Sequence, residues 1–192
     1  MKITNVETHV VMVHAGLEWV LVELETDEGI SGVGECSDYG SAAHLVAGIE
    51  AIKPVLIDMD ARHIEDLWQR LFHANSDLNG RGYVSHLISA IDVALWDIKG
   101  KALGVPIYEI LGGRLRDRVP LYTHIPDRED NQSTTVVTAA AAARAVKKAG
   151  FQALKTDPFA HRWSASGPRG ADLVERLSPS DVARAAEYVH AV

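Results

Sequence analysis

Residues 89–113 read SAIDVALWDIKGKALGVPIYEILGG, and this stretch decides how the chain is organised. Gly104 and Pro106 predict the end of a helix, because glycine tolerates a left-handed backbone and proline cannot continue a helix. Gly112-Gly113 then predicts the exit into a second domain, so residues 1–113 and 114–192 are expected to form two domains. The helix itself is predicted by apolar residues that recur at spacings of three and four: Ile88, Ile91, Leu95, Ile98 and Ala102.

The first residues of the chain predict three strands. Ile3–Val13 is rich in valine and threonine, and Trp19–Thr26 alternates between apolar and polar residues. Such alternation is typical of a strand with one buried face. Asp27–Gly29 is a turn signal, and Ile30–Glu35 resumes a strand. We therefore expect an antiparallel meander, with Val20, Val22 and Leu24 on one face.

Two further helices are predicted between the strands and residue 89. The second begins at an Asp60 N-cap and carries an apolar stripe that includes Ile64, Leu67 and Leu71. Strands followed by helices indicate an α+β domain over residues 1–113. The first of these two helices has an apolar face made by Ala43, Val46, Ala47, Ile49 and Ile52.

The residues after Gly113 alternate between predicted strands and helices. The predicted strands are Val119–Thr123 and Ala153–Asp157, and a helix over Ser133–Ala149 lies between them. Alternating strands and helices indicate βα units with a parallel sheet. A whole eight-stranded βα barrel takes about 250 residues, so residues 114–192 would supply only the beginning of one. The last helix begins with Ser178 as N-cap and has a predicted buried stripe of Val182, Ala185, Ala186 and Val189.

Composition excludes several classes of protein. The chain has 192 residues, of which 47% are hydrophobic, as in an ordinary globular protein. Its net charge of -7 argues against a nucleic-acid partner, which would need a basic face. No apolar run approaches the roughly 18 residues that a membrane span needs. Cys36 is the single cysteine, and the N-terminus has no signal-peptide pattern, so we expect a cytoplasmic protein.

Four segments together resemble the enolase superfamily, in its mandelate racemase and muconate-lactonising branch: Ile3–Thr8, Asp27–Glu35, Ser89–Gly113 and Gly150–Lys155. The resemblance implies a capping domain over residues 1–113 and the first two βα units of a TIM-like barrel over residues 114–192. It implies abstraction of a proton α to a carboxylate, with Mg²⁺ stabilising the enediolate. A small carboxylate substrate such as a sugar acid is implied too, and so is a homo-oligomer.

Lys155 and Asp157 are the candidate catalytic residues. They stand two apart on a predicted strand, so both side chains face one way, and Leu154 and Thr156 face the other. An inward lysine at a barrel-strand end would stabilise a carboxylate or act as a general base. The alternative is a Lys–Asp pair at the surface. The resembled family often has Lys-x-Lys here, and Asp157 in place of the second lysine favours its sugar-acid dehydratase branch.

Four other residues are candidates for contacting substrate. The resemblance implies that loops of the capping domain reach the substrate, and His14, Asp38 and Tyr39 lie on such predicted loops. His124 follows the first predicted barrel strand. Each of these polar side chains could hydrogen-bond a polyhydroxy acid, and the alternative for each is a solvated loop.

The Mg²⁺ ligands that the resemblance implies belong to later barrel strands, so we expect no metal ligand in residues 1–192. The interpretation is therefore an acid-sugar dehydratase whose N-terminal portion is inactive alone. Two alternatives stay open: a non-catalytic fragment or self-associating capping module, and a racemase or cycloisomerase of the same superfamily. A nucleotide-binding protein using Gly32-Val-Gly-Glu35 fits poorly, because the motif lacks a third glycine and does not open a helix.

Overall fold

The structure, a computed structural model, describes residues 1–14, 17–37, 42–74, 82–124, 136–156 and 178–192. These residues form two compact units, Met1–Leu115 and Arg116–Val192. The division falls shortly after Gly113, where the sequence predicts the end of the first domain. None of the helices in the described ranges has the length and apolar character that a membrane crossing requires.

The first unit has the predicted order of strands followed by helices. Its three strands form one antiparallel sheet in chain order: β1 (Ile3–His14), β2 (Leu17–Thr26) and β3 (Ser31–Glu35). The helices that follow in the described part of this unit are α1 (Ala42–Leu56), α2 (Ile64–Ala74), α3 (Tyr83–Leu103) and the short α4 (Ile107–Ile110).

The core of the first unit lies between one face of the sheet and helices α1 to α3. Val20, Val22 and Leu24 are fully buried, which confirms the predicted inner face of β2. Ile3 and Val6 of β1 are also fully buried, although strict alternation would place them on opposite faces. A register shift between Ile3 and Asn5 allows both to face the core, as a β-bulge does.

The predicted helix faces are confirmed only in part. Ile49 and Ile52 of the predicted α1 face are buried, together with Leu45 and Leu56, while Ala43 and Ala47 are exposed. The larger side chains take the buried positions because they bury more apolar area than alanine does. Ala102 of α3 is likewise exposed. The predicted stripe of α2 is confirmed by buried Ile64, Leu67 and Leu71.

Asp60 is not the N-cap of α2, which begins four residues later at Ile64. Its carboxylate instead accepts hydrogen bonds from Arg62, at 3.0 Å from the backbone nitrogen and at 2.6 Å from a guanidinium nitrogen. These bonds and the guanidinium charge hold the pKa of Asp60 well below its usual range. Asp60 therefore stabilises the turn before the helix.

Two glycines of β3 let α3 approach the sheet closely. A Cβ at Gly34 would lie 1.8 Å from the carbonyl oxygen of Ala90, and one at Gly32 would lie 2.1 Å from that of Ala94. Neither distance is possible between real atoms, so both positions need glycine at this helix separation. Helix–strand packing thus accounts for the Gly-Val-Gly sequence that a nucleotide-binding motif would also contain.

The predicted end of α3 is confirmed. Gly104 has a φ of 68°, which is the left-handed conformation, and its N–H donates to the carbonyl of Lys101. The N–H of Val105 donates to the carbonyl of Gly100 at 3.0 Å. Two carbonyls of the last helical turn thereby gain partners. Pro106 then precedes α4 in an extended conformation.

The second unit contains one parallel strand pair and two helices in its described residues: β4 (Thr123–His124), α5 (Val136–Lys148), β5 (Leu154–Lys155) and α6 (Pro179–Ala191). The predicted strand from Val119 is shorter than expected, and Val119 and Leu121 are each 69% exposed. Of the predicted stripe of α6 only Ala185 is buried, while Val182, Ala186 and Val189 are exposed, and Tyr188 is buried in addition.

Candidate functional site

The ends of the two parallel strands bring two predicted site residues together. Thr123 is in register with Leu154, and His124 is in register with Lys155. Register partners on adjacent parallel strands lie side by side with their side chains on the same face of the sheet. His124 and Lys155 were predicted separately, from different segments, and the structure makes them neighbours. Both side chains are exposed.

The other face of this strand pair packs on helices. Leu154 contacts a small apolar cluster formed by Ala139 of α5 and Tyr188 of α6. Thr156, the next residue on that face, shares a hydrogen bond with the Tyr188 hydroxyl. Because neighbouring residues in extended chain face opposite ways, Lys155 is directed away from the helices. This is the predicted alternation, with Leu154 and Thr156 on one side and Lys155 on the other.

The chemistry of the pair suits an anionic ligand. Lysine offers three N–H donors and a positive charge, and an imidazole adds a ring N–H donor. Hydrogen bonds from a charged donor to a carboxylate are about twice as strong as neutral ones. The ring of Tyr122 lies beside that of His124, with 6.1 Å between the ring centroids. The strand ends can therefore bind a small carboxylate through donors from two neighbouring strands.

The remaining predicted site residues lie in the first unit or outside the described residues. His14 is the last residue of β1, where it is in register with Leu17. Asp38, Tyr39 and Asp157 lie outside the residues that the structure describes. Their proposed roles stay predictions.

The described residues do not fit a magnesium site. Within them, no three histidine, cysteine, aspartate or glutamate residues gather as metal ligands would. Mg²⁺ prefers carboxylate and water oxygens in octahedral geometry, and a lysine ammonium offers no lone pair to a metal. Lys155 therefore offers no ligand to a metal ion, and the roles of His124 and Lys155 stay predictions.

Cys36 is not a candidate nucleophile. Its side chain is 2% exposed, and burial raises the pKa of its thiol to about 11. The thiol also donates a weak hydrogen bond to the carbonyl of Val20, with 3.7 Å between sulfur and oxygen. A thiol in such surroundings stays protonated and serves as a small apolar side chain.

A surface groove between α2 and α3 carries a second perturbed carboxyl group. Burial, and then the negative charge of Glu65, raise the pKa of Asp92. Trp96 and Lys99 line the same groove, and the Lys99 ammonium lies 4.6 Å from the centroid of the Trp96 ring. The aromatic face is thus already occupied by a cation of the chain itself.

Sequence comparison adds a family and its relatives. Residues 4–112 match the mandelate racemase/muconate lactonizing enzyme N-terminal domain family. The chain is 45% identical over 125 residues to a D-galactonate dehydratase of Variovorax paradoxus. This matched segment covers 65% of this chain and 31% of that protein. A D-galactonate dehydratase of Xanthomonas axonopodis pv. citri is 44% identical over 122 residues, again spanning 31% of that protein.

Solved structures extend the similarity to the second unit. A member of the enolase superfamily from Salmonella Typhimurium is 30% identical, with a TM-score of 0.84, over 99% of this chain and 50% of that one. An enolase from Pantoea ananatis, solved with bound D-gluconate and magnesium, is 37% identical, with a TM-score of 0.67. That likeness covers 80% of this chain and 35% of the other. The chain thus spans about half the length of the Salmonella protein.

Proposed function

Because the chain belongs to the mandelate racemase/muconate lactonizing enzyme family of the enolase superfamily, we propose that it is the N-terminal portion of an acid-sugar dehydratase. Its first unit is the α+β capping domain of that family, and its second unit begins the TIM-like barrel. The relatives named D-galactonate dehydratase support a substrate of the aldonic-acid class.

The pairing of His124 with Lys155 on neighbouring strands is the observation that supports a carboxylate site at the strand ends. The Lys155 ammonium holds the substrate carboxylate, and His124 donates a second hydrogen bond from the neighbouring strand. When a proton α to the carboxylate is removed, negative charge spreads onto the carboxylate oxygens. A fixed cation that faces those oxygens stabilises this charge more than it stabilises the ground state. A base would accept the α-proton, and the β-hydroxyl group would take up a proton and leave as water, so that the net change is loss of one water and formation of an enol.

Magnesium enters this proposal only as a family expectation. In enolase-superfamily chemistry Mg²⁺ stabilises the enediolate. The described residues contain no group of three or more side chains that could hold it. We accordingly propose that residues 1–192 bind a sugar acid without turning it over. Substantial dehydration of a sugar acid by the purified chain in the presence of Mg²⁺ would contradict this.

Binding to the purified chain tests the assignment of the strand ends. D-Galactonate should bind, whereas galactitol, which has the same carbon skeleton and no carboxylate, should not. Lys155→Met should weaken galactonate binding by roughly ten- to a hundredfold, because a charge-assisted hydrogen bond contributes roughly 1.5–3 kcal/mol. The control is Lys148→Met, which removes the same charge from the exposed end of α5. Equal binding of galactitol, or equal losses in both variants, would refute the assignment.

A self-associating capping module is the second candidate, and one observation favours it. Near its end, β1 exposes two large apolar side chains that strand alternation places on one face, Val10 at 47% and Met12 at 61%. Contiguous exposed apolar surface often marks an interface. Met12→Lys should then shift the chain towards monomer in light-scattering chromatography, whereas Leu115→Lys, at an 87% exposed residue, should not. An unchanged mass for Met12→Lys would exclude this surface.

A further inference from the structure

We propose that Tyr188 is a positioning residue, which orients Lys155 beside His124 through its hydrogen bond with Thr156. The proposal rests on the proposed function, because it deepens the assignment of the strand ends as a carboxylate site. Tyr188 lies on α6, far along the chain from β5, and sequence patterns gave it no role. Its hydroxyl and Thr156 Oγ1 are in hydrogen-bond contact.

Burial makes this hydrogen bond obligatory. Tyr188 is 7% exposed, and its ring packs with Ala139 and Leu154. A buried phenol that lacks a partner pays the full cost of lost hydration, so its hydroxyl keeps the bond to Thr156. The ring therefore fixes the position of Thr156 relative to α6.

Thr156 stands directly after Lys155, so its position sets that of the lysine. The described strand pairing is short, with β5 covering only Leu154–Lys155. Beside this pairing, the backbone contact from Thr123 N–H to the Ala153 carbonyl is long, at 3.4 Å. Within the described residues, contacts with the helices add to this short backbone pairing. Leu154 in the apolar cluster and Thr156 on the Tyr188 hydroxyl hold both neighbours of Lys155 on the helix face. The lysine is thereby directed to the opposite face, where His124 lies.

Two conservative variants separate positioning from packing. Tyr188→Phe removes only the hydroxyl and keeps the ring in its cluster, and Thr156→Val removes the other partner at constant volume. We expect each to weaken D-galactonate binding about three- to tenfold, the usual range for one hydrogen bond. The double variant should bind galactonate as well as whichever single variant binds it less tightly, because both changes remove the same bond. Tyr108→Phe, at an exposed tyrosine of α4, is the matched control and should change nothing.

Ligand-free NMR makes the test independent of binding. In the isotope-labelled full chain, the imidazole signals of His124 and the side-chain signals of Lys155 should move in Tyr188→Phe and stay in Tyr108→Phe. Unchanged signals in Tyr188→Phe, or an unchanged galactonate Kd, would overturn the positioning role even if the variant melts at a lower temperature. If the wild-type chain fails to bind galactonate while Tyr188→Phe still moves both signals, the proposed function falls and the positioning role stands.

Discussion

Gly34 shows how a single residue sets the distance between a helix and a sheet. Its missing side chain leaves room for the backbone of Ala90, whose carbonyl oxygen would lie 1.8 Å from a Cβ. The sequence shows a glycine in a strand, which has several possible reasons, among them a bulge or a close backbone approach. Only the packing of α3 identifies the reason here.

Gly34→Ala should destabilise the first unit strongly. The added methyl group meets backbone atoms that cannot rotate away, so α3 must shift, and we expect a loss of about 1–3 kcal/mol or more in the free energy of unfolding. Urea denaturation measures this loss. Gly29→Ala is the comparison, because a Cβ there meets nothing within 4 Å and the cost of its φ of 75° is about 1 kcal/mol. Equal losses in the two variants would contradict the packing argument.

The stability of the first unit should depend on whether the Asp92 carboxyl is protonated. Its pKa is raised by burial and by Glu65, so ionisation of this carboxyl opposes folding. Its protonated form is stabilising at low pH, and this contribution is lost as pH rises from the ordinary aspartate pKa of about 3.9 through the raised value. Asp92→Asn should therefore melt at a higher temperature than the wild type at pH 7, and the difference should shrink towards pH 3.

Asp66→Asn is the control for this pH series. Asp66 is exposed on α2 and pairs with Arg70 at 2.9 Å, so its removal should give no gain in stability at pH 7. A melting temperature of Asp92→Asn that equals or falls below the wild-type value at pH 7 would contradict the account of Asp92.

At the scale of elements, the end of α3 and the start of α6 follow local chemistry and were predicted, whereas the buried face of α6 depends on its partners. Ser178 caps α6 as predicted, since its hydroxyl accepts from the Asp181 N–H at 3.2 Å. The Asp181 carboxylate accepts in return from the Ser178 N–H at 2.9 Å. The predicted stripe of α6 included Val182 and Val189, which are exposed, and did not include Tyr188, which is buried. Burial of Tyr188 depends on Ala139 and Leu154, which lie in distant parts of the sequence.

Ser178→Ala should lower the stability of the second unit by about 1 kcal/mol, because it removes the side-chain acceptor of the helix N-terminus. Thermal unfolding followed by circular dichroism measures the effect. Ser89→Ala is the control, since Ser89 is an exposed residue inside α3 and alanine favours helix there. The capping interpretation fails if both variants unfold like the wild type.

Strand edges show a second limit of sequence reasoning. The polar residues of α3 are typical of a solvated helix face, yet two of them cover the free edge of β3. The N–H of Val33 donates to Asp97 at 3.0 Å, and the Lys101 ammonium donates to the carbonyl of Ser31 at 2.7 Å. An uncovered edge offers backbone groups to other chains, so these contacts protect the sheet. Nothing in the local pattern distinguishes such residues from ordinary surface charges.

At the scale of the whole molecule, the two units differ in how much core they contain. The first unit has a continuous cluster of buried apolar residues from β1, β2 and the three helices α1 to α3. The described part of the second has a small cluster around Ala139 and Tyr188. Since apolar burial is the main favourable term in folding, the first unit should be the more stable one.

Limited trypsin digestion tests this difference. We expect the first cuts within residues 159–177, a polar segment that lies outside the described residues, and a resistant product close to residues 1–113. Mass spectrometry of a time course identifies the fragments. Resistance that is uniform through Val192 would mean that the second unit is packed as well as the first.

The sequence by itself determined the family, the order of elements, the ends of α3 and α6 and the choice of Lys155 and His124 as candidates. The elements and their ends depend on neighbouring residues, because caps, turns and alternation act over a few positions. The family follows from segments of sequence that its members share. Only the tertiary structure decided that Gly34 serves the packing of α3, that Asp97 and Lys101 cover an edge, and that His124 stands beside Lys155. Each of these is a contact between residues far apart in the chain, and such contacts exist only once packing has brought the elements together.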